Sequence, residues 1–299
     1  MNRLNEKVIL VTGSGRGFGR GIAYSYALQG AKVVSVSRTV KELKDLENEA
    51  SKKGGEILTI PTDLSKEDAI YSLRDKVLET YGRLDAIVNN AATSPWKLFD
   101  DMSLELWDRT IAVNLRAPFV LSKAFLETMK NQGYGSIVNV TSGSSNRGFV
   151  AETAYCPSKY GIEGLTQCLA LELQPLNIAV NTLGVGAPPG QRLKPTELTL
   201  EEARNMPVEI REKYADDESM AEYFGEAWAF LALQDAHGVT GQRLGSRELA
   251  DYLRRNGWEA AKANWRRKLT KAVYVSYDFP KSARYQTPEG GWKELLFHF

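Results

Sequence analysis

The sequence predicts an α/β fold in which a doubly wound parallel sheet of about seven strands carries helices on both faces. One observation is that short β-branched runs such as AKVVSVS and GSIVNVTS alternate with longer helical stretches. These runs are mostly continuous in hydrophobicity, which is typical of strands covered on both faces. The other observation is that the first run, KVIL, leads directly into the glycine-rich stretch VTGSGRGFGR. Such a stretch indicates a tight strand-to-helix turn.

Each element can be assigned in order along the chain. The predicted strands are KVILVT, AKVVSVS, EILTIPT, LDAIVNN, GSIVNVTS, IAVNTLG and a last short strand within HGVTGQRL. The apolar spacing predicts helices over residues 18–29, 66–81, 104–131 (one or two helices), 155–173, 200–214 and 219–234. Gly30 and Gly82 follow the first two helices and are suited to the left-handed position at a helix end. Pro207 is a position where the helix over 200–214 can break.

The composition limits the partners and the location. The chain has 299 residues, 43% of them hydrophobic, which is enough for one large core. Its 38 basic and 37 acidic residues give a net charge of +1, which argues against nucleic acid or a membrane as the main partner. Cys156 and Cys168 have no metal-ligand spacing, so we predict reduced thiols and no metal site. The sequence contains no evident signal peptide or membrane span, and we expect a cytoplasmic protein.

The domain organisation is predicted to be simple. Residues 1–245 are expected to form a single dinucleotide-binding and catalytic domain. A Gly/Pro-rich substrate loop over about 185–225 would lie within this domain. Residues 246–299 form a C-terminal extension whose apolar ending, GGWKELLFHF, is predicted to pack on the body or on a neighbouring subunit. The extension could act as a clasp in an oligomer or as a lid at the site.

The glycine-rich turn has the features needed to hold a pyrophosphate. Gly13 allows a tight turn, Gly17 lets a phosphate approach the backbone, and Gly19 lets the helix and strand pack closely. The helix N-terminus offers free N–H groups and the positive end of the helix dipole. We therefore predict a Rossmann-type dinucleotide site that also includes the loop residues Ser14, Arg16 and Phe18. A turn with a purely structural role is the alternative.

The end of the second strand predicts which dinucleotide is bound. An acidic residue at this place typically binds the ribose 2′-OH of NAD. Here the strand ends Val36-Ser37-Arg38, and Arg16 adds a second cation. Because arginine suits a 2′-phosphate, NADP(H) is preferred and NAD(H) remains possible. Two solvated surface arginines are the alternative interpretation.

Further motifs in the correct order resemble those of the short-chain dehydrogenase/reductase family over about residues 5–245. They are the glycine turn, Asp63, Asn89-Asn90-Ala91, Asn114, Ser142 and Tyr155-x-x-x-Lys159. The resemblance implies that the cofactor is contacted by Asp63, Leu64, Asn90, Ala91, Tyr155, Lys159 and Gly186. It also implies a homodimer or homotetramer built through the helices that carry Asn114 and Tyr155.

The chemistry follows from Tyr155 and Lys159, which are four residues apart and share a helix face. A nearby ammonium is expected to lower the pKa of the tyrosine from its usual value of about 10. Tyr155 would then be the general acid or base. The resemblance implies that Lys159 also holds the nicotinamide ribose, that Ser142 orients the substrate oxygen, and that Asn114 holds a water linked to Lys159.

These residues predict an NADP(H)-dependent oxidoreductase that interconverts a carbonyl and a secondary alcohol by hydride transfer. A dinucleotide-binding regulator without turnover is one alternative. An isomerase or lyase with a recycled cofactor is another.

The sequence departs from the family pattern after the sixth strand. Val185 stands where the family has proline, Gly186 keeps the glycine, and Gly190 takes the place of an expected threonine. The substrate is expected to be a small molecule, bulky or aromatic, because the apolar residues Leu193, Met206, Phe224, Trp228, Trp96 and Phe149 could line a pocket.

Overall fold

The computed structural model describes residues 3–195, 198–266, 282–286 and 292–296. Seven parallel strands form one sheet in the order β3-β2-β1-β4-β5-β6-β7. The strands are β1 (Val8–Thr12), β2 (Lys32–Ser37), β3 (Glu56–Pro61), β4 (Ala86–Asn89), β5 (Gly135–Thr141), β6 (Ile178–Gly184) and β7 (Arg243–Gly245). The predicted fold class is confirmed.

Helices cover both faces of the sheet. They are α1 (Gly17–Leu28), α2 (Val40–Lys52), α3 (Glu67–Tyr81), α4 (Leu104–Ile111), α5 (Ala117–Gln132), α6 (Tyr155–Leu173), α7 (Leu200–Arg204), α8 (Val208–Arg211), α9 (Asp217–Ala232) and α10 (Ser246–Trp265). Ile9 and Val11 of β1 pack into the core with α1, α2, α9 and α10. Val8 and Leu10, pointing the other way, pack with α3, α5 and α6.

Most predicted helices occur close to their expected bounds, and the differences have local causes. The stretch 104–131 forms α4 and α5 joined by a π-helical turn, Ala112–Arg116. The stretch 200–214 forms two short helices, because Pro207 precedes α8 as its N-cap. Helix α2 was not singled out in the sequence. Gly30 and Gly82 both have the expected positive φ.

The chain continues past the sheet into α10, which packs along α9. Gly257, at φ 78° and ψ 177°, kinks α10, and the helix resumes beyond it. Strands β8 (Ser282–Gln286) and β9 (Trp292–Leu296) pair as an antiparallel hairpin. The rest of the predicted apolar ending lies outside the described residues, and the boundary at residue 245 stays a prediction.

Within the described parts of the chain, none of the helices has the length and hydrophobicity needed to cross a bilayer.

A buried arginine joins three helices beneath the glycine-rich turn. Arg20 on α1 is only 2% exposed. Its guanidinium donates to the backbone oxygens of Gly15 and Glu42. It also donates to three carboxylates, Asp217 at 2.6 Å, Asp45 at 2.9 Å and Glu49 at 2.5 Å. Burial alone would lower the pKa of Arg20, but Asp217 and Glu49 raise it above its usual value, so the side chain stays charged.

Replacing this buried cation is expected to be costly, because it leaves partly buried carboxylates without their partner. We predict that Arg20→Met lowers the free energy of unfolding by about 3–5 kcal/mol in a urea titration. Arg204 is the matched control, since it binds Asp45 and Glu49 but its side chain is 50% exposed. Arg204→Met should cost less than about 1 kcal/mol. Equal losses in the two variants would contradict this account of the cluster.

Candidate active site

A cleft opens at the carboxyl edge of the sheet, where the chain order reverses between β1 and β4. This is the position where open α/β sheets bind ligands. We call it the main cleft. Twelve of the residues predicted from the sequence line it: Gly13, Arg16, Gly17, Phe18, Ser37, Arg38, Asp63, Leu64, Asn90, Ala91, Tyr155 and Lys159. The other predicted residues, Ser14, Gly19, Asn114, Ser142 and Gly186, are not part of its lining.

The glycines of the turn do three different things. Gly13 has φ +65°, and a Cβ there would lie 2.7 Å from the Cα of Ala91. A Cβ on Gly19 would lie 2.1 Å from the Nδ2 of Asn90, so α1 can approach the sheet only with glycine at this position. Gly17 has φ +62° and no atom within 4 Å of its added Cβ. The backbone there is open to the main cleft at the first residue of α1, as a bound phosphate requires.

Thr12 and Asn90 fix the turn to the neighbouring strand. The hydroxyl of Thr12 accepts from the backbone N–H of Asn90 at 2.9 Å and of Ala91 at 3.0 Å. The amide of Asn90 donates to the carbonyl of Thr12 at 2.9 Å. Thr12 was not predicted from the sequence to have a role in the site. Its position as the residue before the first glycine, at the end of a buried strand, was the available signal.

Ser14 faces away from the main cleft. Its hydroxyl donates to the carbonyl of Val11, lies 2.7 Å from the hydroxyl of Ser35, and accepts from the N–H of Val36. Its own N–H donates to the carbonyl of Val36. Ser14 therefore joins the turn to β2, and its polar groups are used within the protein.

Ser37, Arg38 and Asp63 lie together at the far end of the main cleft. The carboxylate of Asp63 accepts from the N–H of Ser65 at 3.1 Å and from its hydroxyl at 2.8 Å. Burial would raise the pKa of Asp63, but these bonds and the charge of Arg38 lower it below its usual value. Arg38 itself is exposed, so its guanidinium is available to a ligand.

Tyr155 begins α6 and faces the main cleft beside Ser142. Burial raises the pKa of Tyr155 to about 12, while the hydrogen bond with Ser142 opposes the rise and the charge of Glu152 adds to it. The predicted downward shift of this pKa is therefore wrong. The ammonium of Lys159 lies 5.5 Å from the centre of the tyrosine ring, and the largest cause of the shift is burial of the phenol.

Lys159 is 3% exposed, and its ammonium donates to the carbonyl of Val140 at 2.9 Å. Burial lowers the pKa of Lys159 to about 8, and the carboxylate of Glu163 opposes this shift. At neutral pH the side chain is still mainly charged. Its ammonium lies at the end of β5 beside the main cleft, where a bound ribose could accept from it.

Asn114 lies in the π-helical turn and is 1% exposed. Its amide oxygen accepts from the N–H of Thr93 at 2.8 Å. Its amide nitrogen donates to the carbonyl of Thr93 at 2.9 Å and to the hydroxyl of Ser158 at 3.0 Å. The side chain thus joins the end of β4 to α6, and its predicted role in holding a water stays a prediction.

Glu163 was missed in the sequence and joins the ends of three strands. Its carboxylate accepts from Thr141 at 2.5 Å and from Thr182 at 3.0 Å, and it pairs with Arg243 at 2.9 Å. Arg243 in turn donates to the backbone carbonyl of Ser142 at 3.2 Å. This network fixes the backbone that carries Ser142. The signal in the sequence was its spacing, because Glu163 lies four residues after Lys159 and therefore on the same face of the helix.

Phe224 and Trp228 do not line the site as expected. Both are fully buried, and they pack against Phe18 from the core side, with Trp228 edge-on at 5.3 Å. Their apolar spacing reflects the core. Val185 and Leu193 do line the main cleft. Lys194, which was not predicted from the sequence, also lines the main cleft.

The residues of the main cleft fit a dinucleotide. The open backbone at Gly17 begins a helix whose first N–H groups face the cleft, and two arginines lie at the far end. Tyr155 and Lys159 lie at the other end, on α6. The cleft therefore offers contacts for a pyrophosphate, for a ribose phosphate and for a reacting group.

Comparison with known proteins agrees with this arrangement. The family model for short chain dehydrogenases matches residues 7–194. A 3-oxoacyl-[acyl-carrier-protein] reductase, FabG, of Thermotoga maritima is 33% identical, over 81% of this chain and 97% of its own. An uncharacterized oxidoreductase, YxjF, of Bacillus subtilis is 30% identical, over 81% of this chain and 96% of its own. A metagenomic short-chain oxidoreductase solved in complex with NADP aligns with a TM-score of 0.65 at 30% identity, covering 81% of this chain and 98% of its own.

The chain belongs to the short chain dehydrogenase family. It is an oxidoreductase of the kind that acts on CH–OH groups with NAD(P).

The buried ammonium of Lys159 predicts a pH-dependent stability. Between its folded pKa of about 8 and its usual 10.5, the unfolded chain binds more protons, so the free energy of unfolding rises with pH. The free energy of unfolding of Lys159→Met minus that of wild type should therefore be larger at pH 7 than at pH 10. The expected change in this difference is up to about 3 kcal/mol.

Urea titrations at the two pH values measure this difference. The control is Lys76→Met, at an exposed lysine on α3, which should change stability equally at both. If the difference in free energy of unfolding between Lys159→Met and wild type does not fall as the pH rises, the lowered pKa of Lys159 is refuted.

Proposed function

We propose that this protein is an NADP(H)-dependent oxidoreductase that interconverts a carbonyl and a secondary alcohol by hydride transfer, with Tyr155 as the general acid and base. The supporting observation is that Tyr155 and Lys159 lie in the same cleft as the open glycine turn. Hydride transfer needs a proton donor and a nucleotide site within one continuous space.

In the direction of reduction, the substrate oxygen accepts hydrogen bonds from Ser142 and Tyr155. The bound dinucleotide supplies the hydride. Tyr155 gives its phenolic proton to the developing alkoxide, and the charge of Lys159 stabilises the phenolate that remains. Because the pKa of Tyr155 is about 12, the phenol is neutral at pH 7, the form that reduction requires. Oxidation requires the phenolate and is therefore favoured by high pH.

The preference for NADP(H) is supported by Arg16 and Arg38, which line the end of the main cleft with Ser37. No acidic residue ends β2 to accept a ribose 2′-OH. The related short-chain oxidoreductase holds NADP in its solved structure. NAD(H) remains the second candidate.

A regulator without turnover is the rival function, and an isomerase or lyase is another. A regulator needs the nucleotide site alone, whereas here a buried ammonium beside a phenol costs folding energy. That arrangement favours catalysis. Reduced-nicotinamide consumption with a panel of ketones, aldehydes and quinones distinguishes the rivals.

A homo-oligomer and a cytoplasmic location belong to the same proposal. Leu104, Trp107, Phe119 and Leu171 are between 38% and 82% exposed on α4, α5 and α6. Large apolar side chains on neighbouring helices are suited to a subunit interface. The mass of the native protein by light scattering tests this part.

Removing the phenolic hydroxyl of Tyr155 should strongly reduce turnover. We predict that Tyr155→Phe lowers kcat by about 10²–10⁴-fold while NADP+ binding, measured by calorimetry, is retained. Tyr160→Phe is the matched control, because Tyr160 follows on the same helix and does not line the main cleft. Full activity in Tyr155→Phe would refute the assigned role.

Removing the exposed guanidinium should change the cofactor preference. We predict that Arg38→Met raises the KM for NADPH by about 10–100-fold, because a charge-assisted hydrogen bond to phosphate is lost. The KM for NADH should change little. Lys41→Met, at an exposed lysine paired with Glu201, is the control. Equal changes for both cofactors would contradict a 2′-phosphate role for Arg38.

A further inference from the structure

Glu42 places a carboxylate among the residues that the proposed function assigns to the ribose phosphate. It lies in the first turn of α2 and is only 7% exposed. It lines the main cleft together with Arg16, Ser37 and Arg38. An acid is therefore present at this end of the cleft, although the sequence shows none at the end of β2.

The contacts of Glu42 fix its position closely. Its Oε1 accepts from the Nη1 of Arg16 at 3.4 Å and from the backbone N–H of Leu200 at 3.2 Å. A Cβ added to Gly15 would lie 2.9 Å from the Oε2 of Glu42 and 2.8 Å from the Oγ of Ser37. The carboxylate and the hydroxyl thus lie against the same point of the glycine-rich turn.

A carboxylate at this position affects binding of the ribose 2′-OH of NAD and of the 2′-phosphate of NADP differently. A carboxylate accepts a hydrogen bond from a ribose 2′-OH, and it repels a 2′-phosphate. In many dinucleotide sites the acid comes from the end of the second strand. Here that position is Ser37, and Glu42 brings its carboxylate beside the Ser37 hydroxyl from the following helix.

We propose that Glu42 is a specificity-determining residue for the cofactor, taking the place of the absent acid at the end of β2. The negative charge of Glu42 opposes the positive charges of Arg16 and Arg38. The cleft therefore binds nucleotides with a 2′-hydroxyl as well as those with a 2′-phosphate. Its preference for the phosphate is weaker than it would be without Glu42. The inference rests on the proposed function for the location of the ribose. It does not depend on turnover.

The pairing with Arg16 strengthens the effect. A guanidinium that shares its charge with a carboxylate attracts a phosphate less than one that faces a neutral amide. Glu42→Gln removes the charge but keeps a carbonyl oxygen that can accept from Arg16 and from Leu200. The variant therefore separates the charge of Glu42 from its role in joining α2 to α7.

The test is calorimetric binding of two fragments, 2′,5′-ADP and 5′-AMP, to the full chain. We expect Glu42→Gln to raise the affinity for 2′,5′-ADP relative to 5′-AMP by about tenfold or more. The control is Glu47→Gln, which makes the same charge change on α2 at a residue that binds Lys44 and Thr59 and does not line the main cleft. The control should keep the wild-type ratio.

Three results would overturn the inference, and they are distinguishable. If both fragments bind to wild type and the ratio in Glu42→Gln stays within twofold of it, Glu42 does not discriminate, while the proposed function stands. If neither fragment binds to wild type, the ribose site itself is wrong, and the inference fails with the proposed function. A ratio that changes equally in Glu47→Gln would show a general charge effect and would also refute the role of Glu42.

Discussion

The buried guanidinium of Arg20 is the interaction on which the cleft depends. A charge that is 2% exposed must have its donors satisfied by the protein, because water does not reach it. Its partners come from the glycine-rich turn, from α2 and from Asp217 at the start of α9. These segments cannot move apart without leaving the charge unpaired. One side chain therefore holds the glycine-rich turn, the helix that carries Glu42 and the start of α9 in a fixed relation.

At the other end of the main cleft, the structure contains a buried ammonium, that of Lys159. Lys159 is buried although its charge opposes burial, as its lowered pKa records. The carboxylate of Glu163 offsets part of this cost, since it opposes the fall in the pKa of Lys159. Glu163 is itself held by Arg243 and by groups on β5 and β6. Burial of Lys159 lowers the stability of the fold and places a cation beside the phenol of Tyr155. Such local conflict between folding and charge is typical of functional sites.

The sequence predicts the parts of this protein that depend on local pattern. The parallel sheet, the glycine turn and the bounds of α6 follow from short-range spacing, and the structure agrees. Arg20 could not be assigned, because its partner Asp217 is 197 positions away. Phe224 and Trp228 were misplaced because periodicity identifies an apolar helix face and does not say whether it meets the core or a cleft. The predicted direction of the Tyr155 pKa shift was wrong because burial of the phenol, which no spacing reveals, is the largest cause of the shift.

The contact between Thr12 and Asn90 also bears on how the chain folds. These residues are separated by 78 positions, and β1 pairs with β4 only after two complete strand–helix units have been made. The contacts of the glycine turn with β4 therefore form late, when the fourth strand docks, whereas its contacts with β2 can form earlier. The contact of Arg20 with Asp217 forms later still, because α9 comes after β4 in the chain. Non-local pairing of this kind slows folding, so during synthesis the first three strands can collapse together while the nucleotide-binding geometry is still absent.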